Sequence, residues 1–174
     1  VLVASATLTS AWVRNFNPFS PNALWPTRAG IYEPLLIFNS LTGVFEPWLA
    51  QSFAWQDEGQ TVDFVIRDEV KWSDGRRFSA DDVQYTFTLI RSNKALDTNG
   101  VWSRLQSVTK LNASTVRFVF KGIDYPALPV IAHQMIVPAH VWREIQDPVT
   151  TVNPQPVATG PFTEVTRFRT QLFE

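Results

Sequence analysis

The feature that most constrains the fold is the order of signals between Ile31 and Phe87. An apolar segment, IYEPLLIFNSLTGVF, runs into a Pro-Trp-Leu-Ala step, then a strand pattern, a Trp-Ser-Asp-Gly turn and a helix start. Over Thr61 to Arg67, Val62, Phe64 and Ile66 alternate with Thr61, Asp63, Val65 and Arg67, the two-residue period of a half-buried strand. Ser79 then offers an N-cap oxygen. Asp82, three residues on, completes a capping box in its shorter-acid form, and Val83, Phe87 and Ile90 recur at helical spacing. The spacing predicts a helix over 80–91.

Further along, Val108 to Leu111, Asn112-Ala113-Ser114 and Thr115 to Lys121 read as a hairpin with Val116, Phe118 and Phe120 on its apolar face. Pro138, suited to a first helical position, predicts a short helix through Ile145. Leu2 to Leu8 and Phe162 to Phe173 read as strands. Two stretches rich in Pro and Asn, Asn17 to Pro26 and Asp147 to Gly160, read as loops, the second as a crossover or hinge. Short antiparallel strands mixed with a few helices make this an α/β chain of α+β-like character, layered around one core. That core is expected to unite Phe64, Val83, Phe87, Val116, Phe118 and Phe120, each aromatic ring contributing about 1.5–3 kcal/mol on burial.

A net charge of −1 gives no electrostatic basis for pursuing nucleic acid or an anionic membrane. The chain has no Cys, which is compatible with extracytoplasmic and cytosolic proteins alike. GxSxG, Walker A, GxGxxG and HExxH do not occur, so nucleophilic, phosphate-cradling, dinucleotide and zinc-hydrolase chemistry have no sequence basis. Asp81 and Asp82 could be imagined as an acid–base pair. In the first turn of a helix they are better explained by the helix dipole, and adjacent positions point about 100° apart. His133 and His140, the two histidines, are separated by Pro138 and lack a local cluster of further ligands, a poor basis for a metal site.

Aromatic residues reach 13%, seven of them Trp. Most are expected to fill the core, while at least one is expected to face a ligand. The segment Trp12 to Trp25 interleaves four aromatics with Asn15, Asn17, Asn22 and Arg14. Amides both donate and accept, and aromatic faces cover C–H surface, so sugar hydroxyls or a peptide backbone would suit them. The alternative is a loop whose amides satisfy its own backbone.

YEPLL (Tyr32 to Leu36), GVFEPWLAQSFAW (Gly43 to Trp55) and DGRRFSADDVQYTF (Asp74 to Phe87) resemble the family 5 extracellular solute-binding proteins. These are the receptors of bacterial ABC importers for peptides, nickel and oligosaccharides. NFNPF, Asn15 to Phe19, looks closest to the cello-oligosaccharide-binding branch. The resemblance implies a periplasmic-binding-protein type II-like fold, of which this chain is an N-terminal fragment. Residues 1–42 would open the first lobe, 43–156 form a small inserted domain, and 157–174 return to the first lobe. It also implies a receptor and no enzyme, without a cofactor, that closes around an oligosaccharide or oligopeptide and serves ABC permease subunits. Such a receptor is expected to be monomeric, without nucleic-acid partners, and extracytoplasmic (periplasmic or lipid-anchored). Trp12 and Trp25 are the expected stacking residues, with Asn15 and Asn17 as polar partners. A glycoside hydrolase fragment and an aromatic-rich interaction domain are the rival readings; the first needs two carboxylates facing one cleft, which no local motif supplies.

Overall fold

The computed structural model describes residues 13–162, 165–169 and 172–173. Trp12 and the strand expected over Leu2 to Leu8 lie outside them. The first regular pairing is a hairpin of β1 (Leu36–Asn39) and β2 (Val44–Pro47). Its turn relies on Asn39, whose side-chain oxygen accepts the N–H groups of Leu41 and Thr42, and on Gly43 at φ +72°, a left-handed conformation that glycine adopts without steric cost. The Trp48-Leu49-Ala50 step then crosses Leu35, whose carbonyl accepts both Trp48 N–H (3.0 Å) and Ala50 N–H (3.1 Å).

β3 (Ala50–Gln56) and β4 (Thr61–Ile66) follow, then helix α1 (Ala80–Ser92), a one-turn α2 (Val101–Arg104), β5 (Leu105–Lys110) and β6 (Thr115–Phe120). The four strands form one antiparallel sheet in the order β3-β4-β6-β5, and α1 covers one face. The period-two pattern of β4 decides which face: Val62, Phe64 and Ile66 turn inward with Val116, Phe118 and Phe120. Phe118 meets Phe64 edge-on at 5.4 Å and Phe87 of α1 at 4.8 Å. All six residues expected in the core are fully buried there in one cluster. The opposite face carries Asp63 and Arg117, paired through two 2.7 Å hydrogen bonds.

The helix begins where the cap chemistry indicates. Ser79 Oγ accepts Asp81 N–H, and the Asp82 carboxylate accepts Ser79 N–H at 2.9 Å. Elsewhere the structure departs from expectation. The first hairpin strand starts at Leu105, earlier than Val108, because Leu105 pairs with Phe120 across a bulge. The helix expected through Ile145 is only α4 (Ala139–Trp142), with Pro138 outside it at the N-cap. The strand expected over Phe162 to Phe173 is reduced, among the described residues, to β7 (Phe168–Arg169) and β8 (Leu172–Phe173). Strands β1, β2 and β3 were not anticipated. β3 is a sheet edge whose apolar residues Phe53 and Trp55 are only half-buried, so its alternation is short and weak.

A short helix α3 (Leu128–Ala132) precedes α4, and a second core lies beyond α1. There Phe16, Phe19, Ile31, Tyr32 and Trp142 pack with Ile90 and Val137. The aromatic residues divide as their environments require. Trp72 and Trp142 are buried, Trp55 and Trp102 half-buried, and Trp25 and Trp48 exposed. Residue 42 falls in the β1–β2 turn, and Leu35 and Leu36 on its N-terminal side are buried in the sheet core.

Candidate functional site

The segment from Asn15 to Tyr32 is irregular because its amides and prolines replace strand pairing with local turns. Asn17 Oδ1 accepts Phe19 N–H, while Nδ2 donates to the carbonyls of Pro148 (3.0 Å) and Thr151 (2.9 Å). Asn15 Oδ1 accepts Asn17 N–H, and its Nδ2 donates to Ser20 Oγ. Both residues are buried. Asn153 completes the junction by donating to the Tyr32 hydroxyl at 2.8 Å. Burial pushes that phenol well above its ordinary value, so it stays neutral in physiological water. The stretch expected to be a hinge, Asp147 to Gly160, is thus tied to the N-terminal loop by side-chain amides. Trp25 stands on the outside of this loop, 44% exposed.

Arg28 clips the loop closed, with Nε donating to Pro18 O (2.7 Å) and an Nη donating to Ser20 O (3.0 Å). It sits at the junction of two adjoining hollows. The larger, about 380 Å³, is lined by Glu33, Phe38, Trp48, His133 and Met135 among others. The smaller, about 110 Å³, continues past Phe19, Leu96 and Asn99, sharing Arg28, His133 and Met135 with the first. Together they form a trough that combines Phe19, Phe38, Trp48 and Met135 with Arg28, Glu33, Thr98, Asn99, His133 and Gln134, a mixture that offers both apolar contact and hydrogen-bonding groups. The His133 ring lies 5.2 Å from Phe45 at a 53° tilt. Trp48 and Glu33 are joined by a 2.8 Å hydrogen bond from the indole N–H to Oε1.

Of the four residues expected to bind ligand, the three described ones do not line this trough, whereas Phe19 of the same aromatic segment and His133 do. Asn15 and Asn17 build the loop beside it, Trp25 is exposed elsewhere on that loop, and Trp12 is outside the described residues. Glu33, Phe38 and Trp48 were not expected at a site, and His133 was considered only as a metal ligand. Glu33 and Trp48 were in view within YEPLL and the Pro-Trp-Leu-Ala step, but nothing local joins two side chains fifteen positions apart.

The acids point away from one another. Asp81 is on the surface, bonded to Arg143 (2.8 Å) and Lys110 (3.4 Å), whereas Asp82 is buried with Oδ1 accepting Ala139 N–H at 2.9 Å. Burial raises the Asp82 carboxyl above its ordinary value, and the N–H groups of Ala139 and Ser79 oppose the rise. His140 Nε2 lies 2.6 Å from Asp74 Oδ2, whereas His133 lines the trough. Among the described residues no three His, Cys, Asp or Glu side chains converge on a point that could hold a metal ion. No helix among them is long and apolar enough to cross a membrane.

Comparison with known proteins places these features in a family context. The model of the bacterial extracellular solute-binding proteins, family 5 middle region, matches residues 44–170. The nickel-binding periplasmic protein of Escherichia coli is 29% identical over 133 residues, covering 72% of this chain and 25% of that protein. A probable ABC transporter-binding protein of Deinococcus radiodurans is 32% identical over 170 residues, covering 86% of this chain and 28% of its own length. The mannohexaose-bound periplasmic oligopeptide-binding protein of Thermotoga maritima superimposes with a TM-score of 0.80 at 30% identity, over 88% of this chain and 29% of that one. The chain therefore spans about a quarter of the length of the curated relatives it matches. Its architecture is of the periplasmic-binding-protein type II-like kind.

Proposed function

Because this chain belongs to the family 5 bacterial extracellular solute-binding proteins, we propose that it forms part of the extracytoplasmic receptor of an ABC importer. The receptor binds an oligosaccharide or an oligopeptide, does no covalent chemistry and delivers its cargo to permease subunits as a monomer. The carrying observation is the trough around Arg28: aromatic and thioether walls interleaved with polar side chains, beside a loop locked by buried amides. Such a wall gains affinity when a second surface closes over the ligand and expels water from the polar contacts. Oligosaccharide is the favoured cargo, since the Thermotoga maritima neighbour at 30% identity carries mannohexaose. Placement in the cello-oligosaccharide branch rests on Asn15-Phe16-Asn17-Pro18-Phe19.

In this reading the N-terminal loop flanks the ligand. Trp25, and Trp12 with it, offer stacking surface, while Asn15 and Asn17 act by holding the loop in shape. The opening segment over 1–42 supplies much of the trough wall, including Arg28, Glu33 and Phe38; the inserted unit over 43–156 adds Trp48, His133 and Met135, and the returning segment over 157–174 adds Pro161. A panel of oligosaccharides and peptides titrated calorimetrically into the intact protein, with hydrolysis of each followed by chromatography, tests the proposal. Saturable binding without turnover is expected. Turnover of a glycoside would favour the hydrolase reading, and binding of no solute would remove the receptor reading.

A further inference from the structure

Trp48 is exposed but immobilised. Its backbone N–H donates to Leu35 O (3.0 Å), its carbonyl accepts Arg67 Nε–H (2.6 Å), and its indole N–H donates to Glu33 Oε1 (2.8 Å). Every polar atom of the residue is satisfied inside the chain, and yet 44% of its surface faces out, so what it presents is bare ring. Phe38, 49% exposed, lines the same 380 Å³ hollow. A large aromatic side chain left outside the core and fixed in orientation by a hydrogen bond has already lost the rotamer freedom that binding would otherwise cost.

The polar groups around the hollow are side chains with spare capacity. Glu33 retains a second carboxylate oxygen, and the Arg28 guanidinium retains N–H groups beyond the two that hold Pro18 and Ser20. His133 lines the same hollow. The nearby backbone is already engaged: the carbonyls of Gly30, Glu33 and Pro34 accept N–H groups from Phe162 (3.0 Å), Ile136 (3.1 Å) and Leu49 (3.4 Å). A peptide main chain needs backbone partners in register, and the wall of this hollow offers it few. A pyranose ring has other needs, namely a flat surface beneath its axial C–H groups and planar carboxylate or guanidinium groups for vicinal hydroxyls. Both are here.

We propose that the Glu33–Trp48 pair is a ring-stacking platform for one sugar unit, so that the receptor of the preceding section selects a neutral saccharide over a peptide. Trp48 carries the C–H face, Glu33 orients the indole and accepts a hydroxyl, and Arg28 donates to ring or hydroxyl oxygens. The inference rests on the receptor reading and adds the residues that would choose a saccharide over a peptide.

The test uses the intact protein and three probes, cellotriose, maltotriose and trialanine, titrated calorimetrically into wild type, Trp48→Ala, Trp48→Phe, Glu33→Gln and Glu33→Leu. Thermal midpoints are recorded alongside to exclude unfolding. The wild type is expected to bind at least one trisaccharide and not trialanine. Trp48→Ala should weaken that binding about 30-fold, the scale of a central aromatic anchor. Trp48→Phe should recover part of the loss. Glu33→Gln keeps an acceptor for the indole N–H and should bind better than Glu33→Leu. Should Trp48→Ala refold poorly, quenching of the wild-type indole emission by the trisaccharide, reduced in Trp48→Phe at matched saturation, gives the same answer; equal quenching in the two proteins overturns the platform. Wild-type affinity in a folded Trp48→Ala protein, or binding of trialanine alone, overturns the platform while leaving a receptor. Binding of none of the three overturns the platform, and failure of the wider solute panel as well removes the receptor reading with it.

Discussion

Gly160 packs against the backbone of Gly30 with no room for a β-carbon. Built at 160, that atom would overlap the Gly30 carbonyl oxygen and lie 2.6 Å from the Ile31 carbonyl oxygen. Gly160 N–H donates to Ile31 O at 2.9 Å, and Phe162 N–H to Gly30 O at 3.0 Å, so two segments 130 positions apart are joined backbone to backbone at the rim of the trough. Because both obstructing atoms are main chain, neither can turn aside. Gly160→Ala should therefore cost about 1–3 kcal/mol, the range for overpacking a filled site. A urea midpoint equal to wild type would show that the two segments separate easily.

The capping box joins α1 to more than its own first turn. Ser79→Ala removes one partner of the helix N-terminus and is expected to cost about 0.5–2 kcal/mol. Asp82→Ala removes the acceptor for Ser79 N–H and also for the buried Ala139 N–H, which opens α4. Orphaning a buried donor costs about 1–3 kcal/mol, so Asp82→Ala should be the more damaging of the two. Equal midpoints for both variants would argue that Ala139 finds another partner.

Asp74 and Asp82 should bend the pH–stability curve in opposite directions. At Asp74, burial opposes ionisation, but the Arg76 N–H and the His140 imidazole outweigh it and hold the carboxyl below its usual range. Its contribution is then present above about pH 4, the unfolded value, and is lost as pH falls through the lowered folded value. Asp82 is held above its usual range by burial, so its protonated form is favoured on folding. That contribution is present below about pH 4 and is lost as pH rises through the folded value. Denaturation midpoints between about pH 3 and 6 should rise less steeply in Asp74→Asn than in wild type, and more steeply in Asp82→Asn. Parallel curves for all three proteins would contradict both assignments.

Asn17 and Trp25 separate scaffold from surface. Asn17→Ala strips the carbonyls of Pro148 and Thr151 and the Phe19 N–H of their partner, and should cost about 1–3 kcal/mol while loosening the 147–153 stretch to protease. Trp25→Ala should lower the midpoint less than Asn17→Ala, since Trp25 is 44% exposed. In the intact protein it should weaken solute binding by about 2 kcal/mol if the loop flanks the ligand. An unaltered dissociation constant would remove Trp25 from the site.

Local order was legible in the residues. Helix α1, its capping box, strand β4 and the hairpin of β5 and β6 follow from periods of 3.6 and 2 and from cap chemistry within four residues, and the six core residues follow from those periods. These signals are short-ranged because hydrogen-bonded turns and side-chain alternation are set by near neighbours. The site was not legible in the same way. Whether Asn17 meets a ligand or closes on Pro148 depends on a contact across 131 positions, and whether Trp48 is a core filler or an open ring depends on where Glu33 stands. Residue type states what a side chain can bond. Only the folding of distant segments onto one another decides which partner reaches it first, and so which aromatic faces are left for a solute.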